Sequence, residues 1–192
     1  MAKKYEFQPD RPYSTWLNKL QLTQAQRLQI LKWSLYALVL IILSVLQDVV
    51  LCRLRIHGGS TELVPCGIFL ICLLEGSQRG CIFALVASWL YLMTGSSPGP
   101  HVLVLITVLS VVICAFRQAY LQPGFLAALL GTAIAMALYE LSIFGYCLLV
   151  GYVTADRLIS FLVPAVLSLV AVPIIYPTLK AIGAIGGKTW KE

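Results

Sequence analysis

The sequence predicts an all-α integral membrane protein, a compact bundle of about six transmembrane helices with both termini cytoplasmic. Three observations carry that prediction. Of 192 residues, 59% are hydrophobic and only 11% charged, whereas about a quarter of a soluble domain is charged. Leu, Val, Ile and Ala fill long runs on every side instead of in one stripe, so a single buried core cannot account for them. Lys and Arg gather toward the two ends of the chain: Lys3, Lys4, Arg11, Lys19, Arg27 and Lys32 before the first run, Lys180, Lys188 and Lys191 after the last. Cytoplasmic flanks of membrane proteins collect basic residues in this way, where anionic lipid head groups attract them. The net charge of +6 is therefore read as a topology signal, not as a nucleic-acid surface.

Residues 1–31 read as a cytoplasmic N-terminal tail, opened by Pro9 and Pro12. Trp16, Leu17, Leu20, Leu28 and Leu31 then recur near helical spacing, and Thr23 with Gln26 fits a capping box. Either an interfacial helix or a plain tail is consistent with this pattern. About thirty polar residues precede the first apolar run, so that run reads as a retained span and not a cleaved signal. The first span covers about Trp33 to Leu51 and carries Gln47 and Asp48 near its far end. An ionisable residue in a span needs a partner or an interfacial position. Asp48 is thus either an interfacial acid beside Arg53 and Arg55 or a contact for another subunit. His57, Gly58 and Gly59 follow in a tight loop.

The stretch from Thr61 to Pro100 is read as a hairpin of two short helices, about Leu63 to Leu74 and Gly80 to Met93. Both fall short of the roughly 20 residues of a full crossing. The bilayer thins there or neighbouring helices shield the pair. Glu75 and Arg79 flank the Gly76–Ser77 turn and are expected to neutralise each other.

The fourth span covers about His101 to Phe116 and ends at Arg117. The fifth starts near Pro123, a favourable helix opener, and passes Gly131 in the small-residue run GTAIAMA, a face on which backbones approach closely. Counting from Gln122 at 1.5 Å per residue places Glu140 about 27 Å along, near the opposite interface. Leu141 to Thr154 is either an extension of this span or an interfacial segment. The last span, about Leu158 to Leu179, holds Pro164, Pro173 and Pro177, which are expected to kink it. Residues 32–180 form the membrane domain and 181–192 a cytoplasmic tail. With six spans, eleven of the fourteen Lys and Arg lie on the cytoplasmic side.

No nucleophile–base pair, zinc motif, phosphate loop or dinucleotide turn is legible, and no cofactor is implied. The acids Asp48, Glu62, Glu75, Glu140 and Asp156 are scattered. The cysteines Cys52, Cys66, Cys72, Cys81, Cys114 and Cys147 lack metal-site or redox-pair spacing and read as packed thiols, a disulfide between spans being the alternative. The reading is a non-enzymatic helical bundle that holds protein partners or a small ligand.

Leu46–Gln47 closing the first span, Ile56–His57–Gly58–Gly59, the apolar run after Thr61–Glu62, Gly76 and Gly80 at the turn, and Leu92–Met93–Thr94–Gly95 before Pro98 and Gly99 together resemble the bacterial rod shape-determining protein MreD family. The resemblance covers roughly residues 33 to 180. It implies an inner-membrane scaffold of the cell-elongation machinery that binds MreC and connects it to the peptidoglycan synthases and, indirectly, to MreB, serving cell-wall morphogenesis and cell shape. From physics alone, Gln47, Asp48, Gly131 and Glu140 are the candidate partner-binding residues, because polar groups in lipid seek partners and small residues allow close helix contact. The rival reading is the substrate-binding membrane subunit of an energy-coupling factor vitamin transporter, whose outer-loop candidates here are His57, Ser60, Ser96 and Ser97.

Overall fold

Six helices follow from these runs. In a computed structural model, which describes residues 24–49, 51, 61–95, 97–120 and 124–185, they are α1 Gln24–Val49, α2 Leu63–Glu75, α3 Ser77–Met93, α4 His101–Tyr120, α5 Phe125–Val150 and α6 Leu158–Gly183. A 3-10 turn, Ala155–Arg157, precedes α6, and no strand occurs among the described residues. Helices α1, α4, α5 and α6 are each long and apolar enough to cross a bilayer, whereas α2 and α3 are shorter.

The organising element is α2. Its sequence, LVPCGIFLICLLE, is apolar around its whole circumference, and all thirteen of its residues are buried. It touches each of the other five helices, which close around it in the ring α1–α3–α4–α5–α6. The short hairpin is therefore shielded by neighbours on its α2 side. Water exclusion does not drive such an arrangement inside lipid, where tails are as apolar as Leu; close packing does. The ring helices divide accordingly: Tyr36, Leu40 and Leu43 of α1 face α2, while Leu38, Ile41, Ile42 and Val45 point outward.

Two glycines make the hairpin possible. Gly76 adopts φ of +84°, which side chains with a Cβ rarely tolerate, so the chain reverses in one residue between α2 and α3. A Cβ on Gly80 would meet the Cys72 backbone at 3.3 Å, which lets α3 cross α2 at close range.

Several boundaries differ from the sequence reading. Helix α1 begins at Gln24, because Gln, Arg and Leu favour helix and let the span continue out of its apolar section. Helix α5 runs unbroken to Val150, which makes residues 141–150 an extension of the fifth span; Gly151, with φ of +83°, stops it. Helix α6 continues through Pro164, Pro173 and Pro177 to Gly183, and α4 passes Arg117 to Tyr120. The interfacial helix before Thr23, the loop with Arg53, Arg55 and His57, Cys52, and Trp190 lie outside the described residues.

The start of α1 and the end of α6 share one end of the bundle, since the Tyr36 hydroxyl lies 3.5 Å from the Leu179 carbonyl. Arg27, Lys32, Arg79, Arg117 and Lys180 belong to that end. Asp48, Asp156 and Arg157 belong to the other.

Candidate functional site

Polar groups buried among apolar helices are costly unless paired, so their positions mark where this bundle is specified. Two clusters of them lie one at each end of α2. At the basic end, Lys32 Nζ lies 2.6 Å from Glu75 Oε1, with both side chains almost wholly buried. The Tyr36 hydroxyl donates to the same oxygen at 2.6 Å. The Arg117 guanidinium reaches the place a Cβ on Gly76 would occupy, and its charge also acts on Glu75. The expected Glu75–Arg79 pair is thus corrected. Glu75 is the last residue of α2 and turns into the bundle, toward α1, whereas Arg79 lies exposed one turn into α3.

At the opposite end, Gln47 of α1 is buried. Its Oε1 accepts from the Val64 backbone N–H at 3.1 Å, and its Nε2 donates to the Tyr91 hydroxyl at 3.4 Å. One side chain thereby satisfies an otherwise orphaned donor in the first turn of α2 and ties α1 to α3. Glu62, just before α2, donates its backbone N–H to Ser168 Oγ of α6 at 3.0 Å. The Glu62 carboxyl lies beside the Tyr139 hydroxyl of α5 and acts electrostatically on Glu140. Tyr139 and Glu140 are 0% and 3% exposed. The two acids, which spacing in the sequence leaves unrelated, are thus brought within electrostatic range of each other.

Of the four candidate partner-binding residues, Gln47, Gly131 and Glu140 face the interior of the bundle, and Asp48 alone is exposed. Glu140, read from the sequence as lying near the opposite interface, is buried. The helix begins at Phe125 and continues ten residues beyond Glu140, so the carboxyl sits within the bundle wall. Gly131 lies on the buried face of α5 with Ala128, Thr132 and Ala135, the face packed on α2 and α6.

The outer surface of the described bundle carries an apolar recess. The seam between α1 and α3 is the thinnest in the ring, and an apolar groove opens there. Leu40, Ile41 and Ser44 form one wall, Val86 and Leu90 the other, with Val64 of α2 in its floor. Tyr91 also lines it, so the groove adjoins the Gln47 hydrogen bonds. Sequence periodicity gave no sign of this gap, because outward-facing apolar residues look the same whether they meet lipid or a recess.

Cys66, Cys72, Cys81, Cys114 and Cys147 are free thiols. Cys72 Sγ lies 3.4 Å from the Gly80 carbonyl and Cys114 Sγ 3.7 Å from that of Cys72, so these thiols serve packing and weak hydrogen bonding. Among the described residues no three His, Cys, Asp or Glu side chains gather as a metal site would need.

Among the described residues the fold is an all-helical bundle in which one short helix is enclosed by five others, four of them long and apolar enough to cross a membrane. Comparison with family models, with curated proteins and with solved structures gives no match.

Proposed function

We propose that this chain is a non-enzymatic inner-membrane scaffold subunit of the MreD kind, holding MreC and through it the peptidoglycan synthases of cell elongation. In this reading all six helices lie within the bilayer, with the Lys32–Glu75 end cytoplasmic. Among the described residues, the five basic residues at that end, against Arg157 with Asp48 and Asp156 at the other, support this orientation.

The observation that carries the reading is the apolar groove between α1 and α3. At this seam Ile41, Val86 and Leu90 stand open, 61%, 48% and 46% exposed, beside a floor already built by α2. A single apolar transmembrane helix laid between α1 and α3 would complete the ring, and MreC, as the resemblance implies, is the partner to supply it.

The test is site-specific photo-crosslinking in native membranes, with a photoreactive residue at Leu90 or at Ile134, the latter 54% exposed on α5 across the ring. Crosslinking to MreC at Leu90 and not at Ile134 is expected. Crosslinking at neither position, with co-purification of ATP-binding-cassette ATPases and a bound vitamin, would overturn the scaffold reading in favour of a transporter subunit.

A further inference from the structure

The pair Glu62 and Glu140 has no use in the scaffold reading. Two carboxyls inside an apolar bundle demand compensation, because an ion without a partner there costs several kcal/mol. At the other end of α2, Glu75 meets Lys32 directly. Here no described Lys or Arg acts on either acid; each is perturbed by burial and by Tyr139 or the other acid. Glu62 Oε2, Glu140 Oε1 and the Tyr139 hydroxyl are all shielded from solvent, and among the described residues none makes a hydrogen bond of normal geometry, although the Glu62 carboxyl and the Tyr139 hydroxyl lie beside each other. Tyr91, 2% exposed, acts electrostatically on both acids and is itself held by Gln47.

We propose that Glu62, Tyr139 and Glu140 form a binding site for one monovalent metal cation, sodium or potassium, held inside the bundle by oxygen atoms. These donors are hard and suit such an ion. The two carboxyls together with one cation and one retained proton are neutral, which removes the desolvation penalty. Calcium would require six to eight oxygens and magnesium a hydrated octahedron, and the few carboxyls present do not supply either. The ion would bind α5 to the start of α2, as the Gln47 amide binds α1 to α3. Its place at the end of α2 opposite Lys32 is the one toward which the basic-residue bias is weakest.

The test is thermal unfolding of the full chain in lipid nanodiscs at constant ionic strength, with sodium or potassium chloride replaced stepwise by N-methylglucamine chloride. The unfolding midpoint should rise linearly with the logarithm of the metal cation concentration above its Kd, by roughly 3–6 °C per tenfold. Glu62→Gln and Glu140→Gln should each abolish that slope, and Asp156→Asn, on the surface, should leave it intact. Tyr139→Phe removes one ligand without changing charge, and should move the onset to several-fold higher cation concentration even if the Gln variants fold poorly. Superimposable midpoints in sodium, potassium and N-methylglucamine, or an unchanged onset in Tyr139→Phe, would overturn the site. Neither result bears on crosslinking at Leu90, so the ion site and the scaffold reading stand or fall separately.

Discussion

Glu75→Gln isolates the charge of the buried pair at the basic end, because Gln matches Glu in shape and can still accept from Tyr36. In the native protein Lys32 and Glu75 approach to 2.6 Å with side chains 6% and 2% exposed. At an effective dielectric constant of about 20, Coulomb attraction at that distance is about 6 kcal/mol, much of it offset by the cost of burying both ions. Removing one member leaves Lys32 as a buried cation beside Arg117, a change that typically costs about 3–5 kcal/mol. Adding Lys32→Met removes the stranded charge and should restore most of that loss. Equilibrium unfolding in mixed micelles, with fluorescence of Trp33 as the probe, measures the cycle. A Glu75→Gln loss below about 1 kcal/mol, or a double variant no better than the single, would refute the claim that this pair is desolvated and coupled.

Three further outcomes follow from the packing and orientation. Leu70→Ala, at a wholly buried position in the middle of α2, should lower stability by about 2 kcal/mol, the low end of the usual cost, because the reference state is lipid and not water; the same unfolding assay reads it. Gly76→Ala forces a Cβ onto backbone at φ +84° and ψ −169°, a region essentially reserved for Gly, and against Arg117, so it should cost more than Gly95→Ala, which has φ of +74° but open space around it; strain of this kind costs about 1–3 kcal/mol. Cysteines placed at Arg79 and Asp156 should be labelled by a membrane-impermeant maleimide from opposite sides of the membrane, the Asp156 position from outside the cell, and the reverse pattern would overturn the proposed orientation.

Most helices were legible because each run is bounded by a glycine, a proline or a charge. The hairpin read as Leu63 to Leu74 and Gly80 to Met93 is observed as Leu63–Glu75 and Ser77–Met93. What the sequence could not supply was the position of each helix in the bundle. An all-apolar helix faces lipid or other helices with equal ease, so α2 as the centre of the ring was not visible in its composition. For the same reason the partners of the acids were misjudged: Glu75 was matched to Arg79, four residues away, when its cation stands on another helix at Lys32. The meeting of Glu62 with Glu140 has no local signature at all. A sequence signal did exist for Gln47, a polar residue inside an apolar run, but it pointed outward to a partner when the side chain turns inward to Val64 and Tyr91.

The enclosure of α2 also sets an order of events during biosynthesis. Among the described helices α2 emerges from the ribosome second, and its α5 and α6 walls emerge after it. The Ser168 hydroxyl that receives the Glu62 amide arrives with them. In the proposed arrangement a thirteen-residue helix with Glu62 and Glu75 at its two ends would until then wait in a bilayer it is too short to cross. Chains truncated before α6 would present this half-clad hairpin to the membrane quality-control proteases. The protein is thus committed to its fold by its last helix, and a defect there leaves the centre of the bundle without a wall.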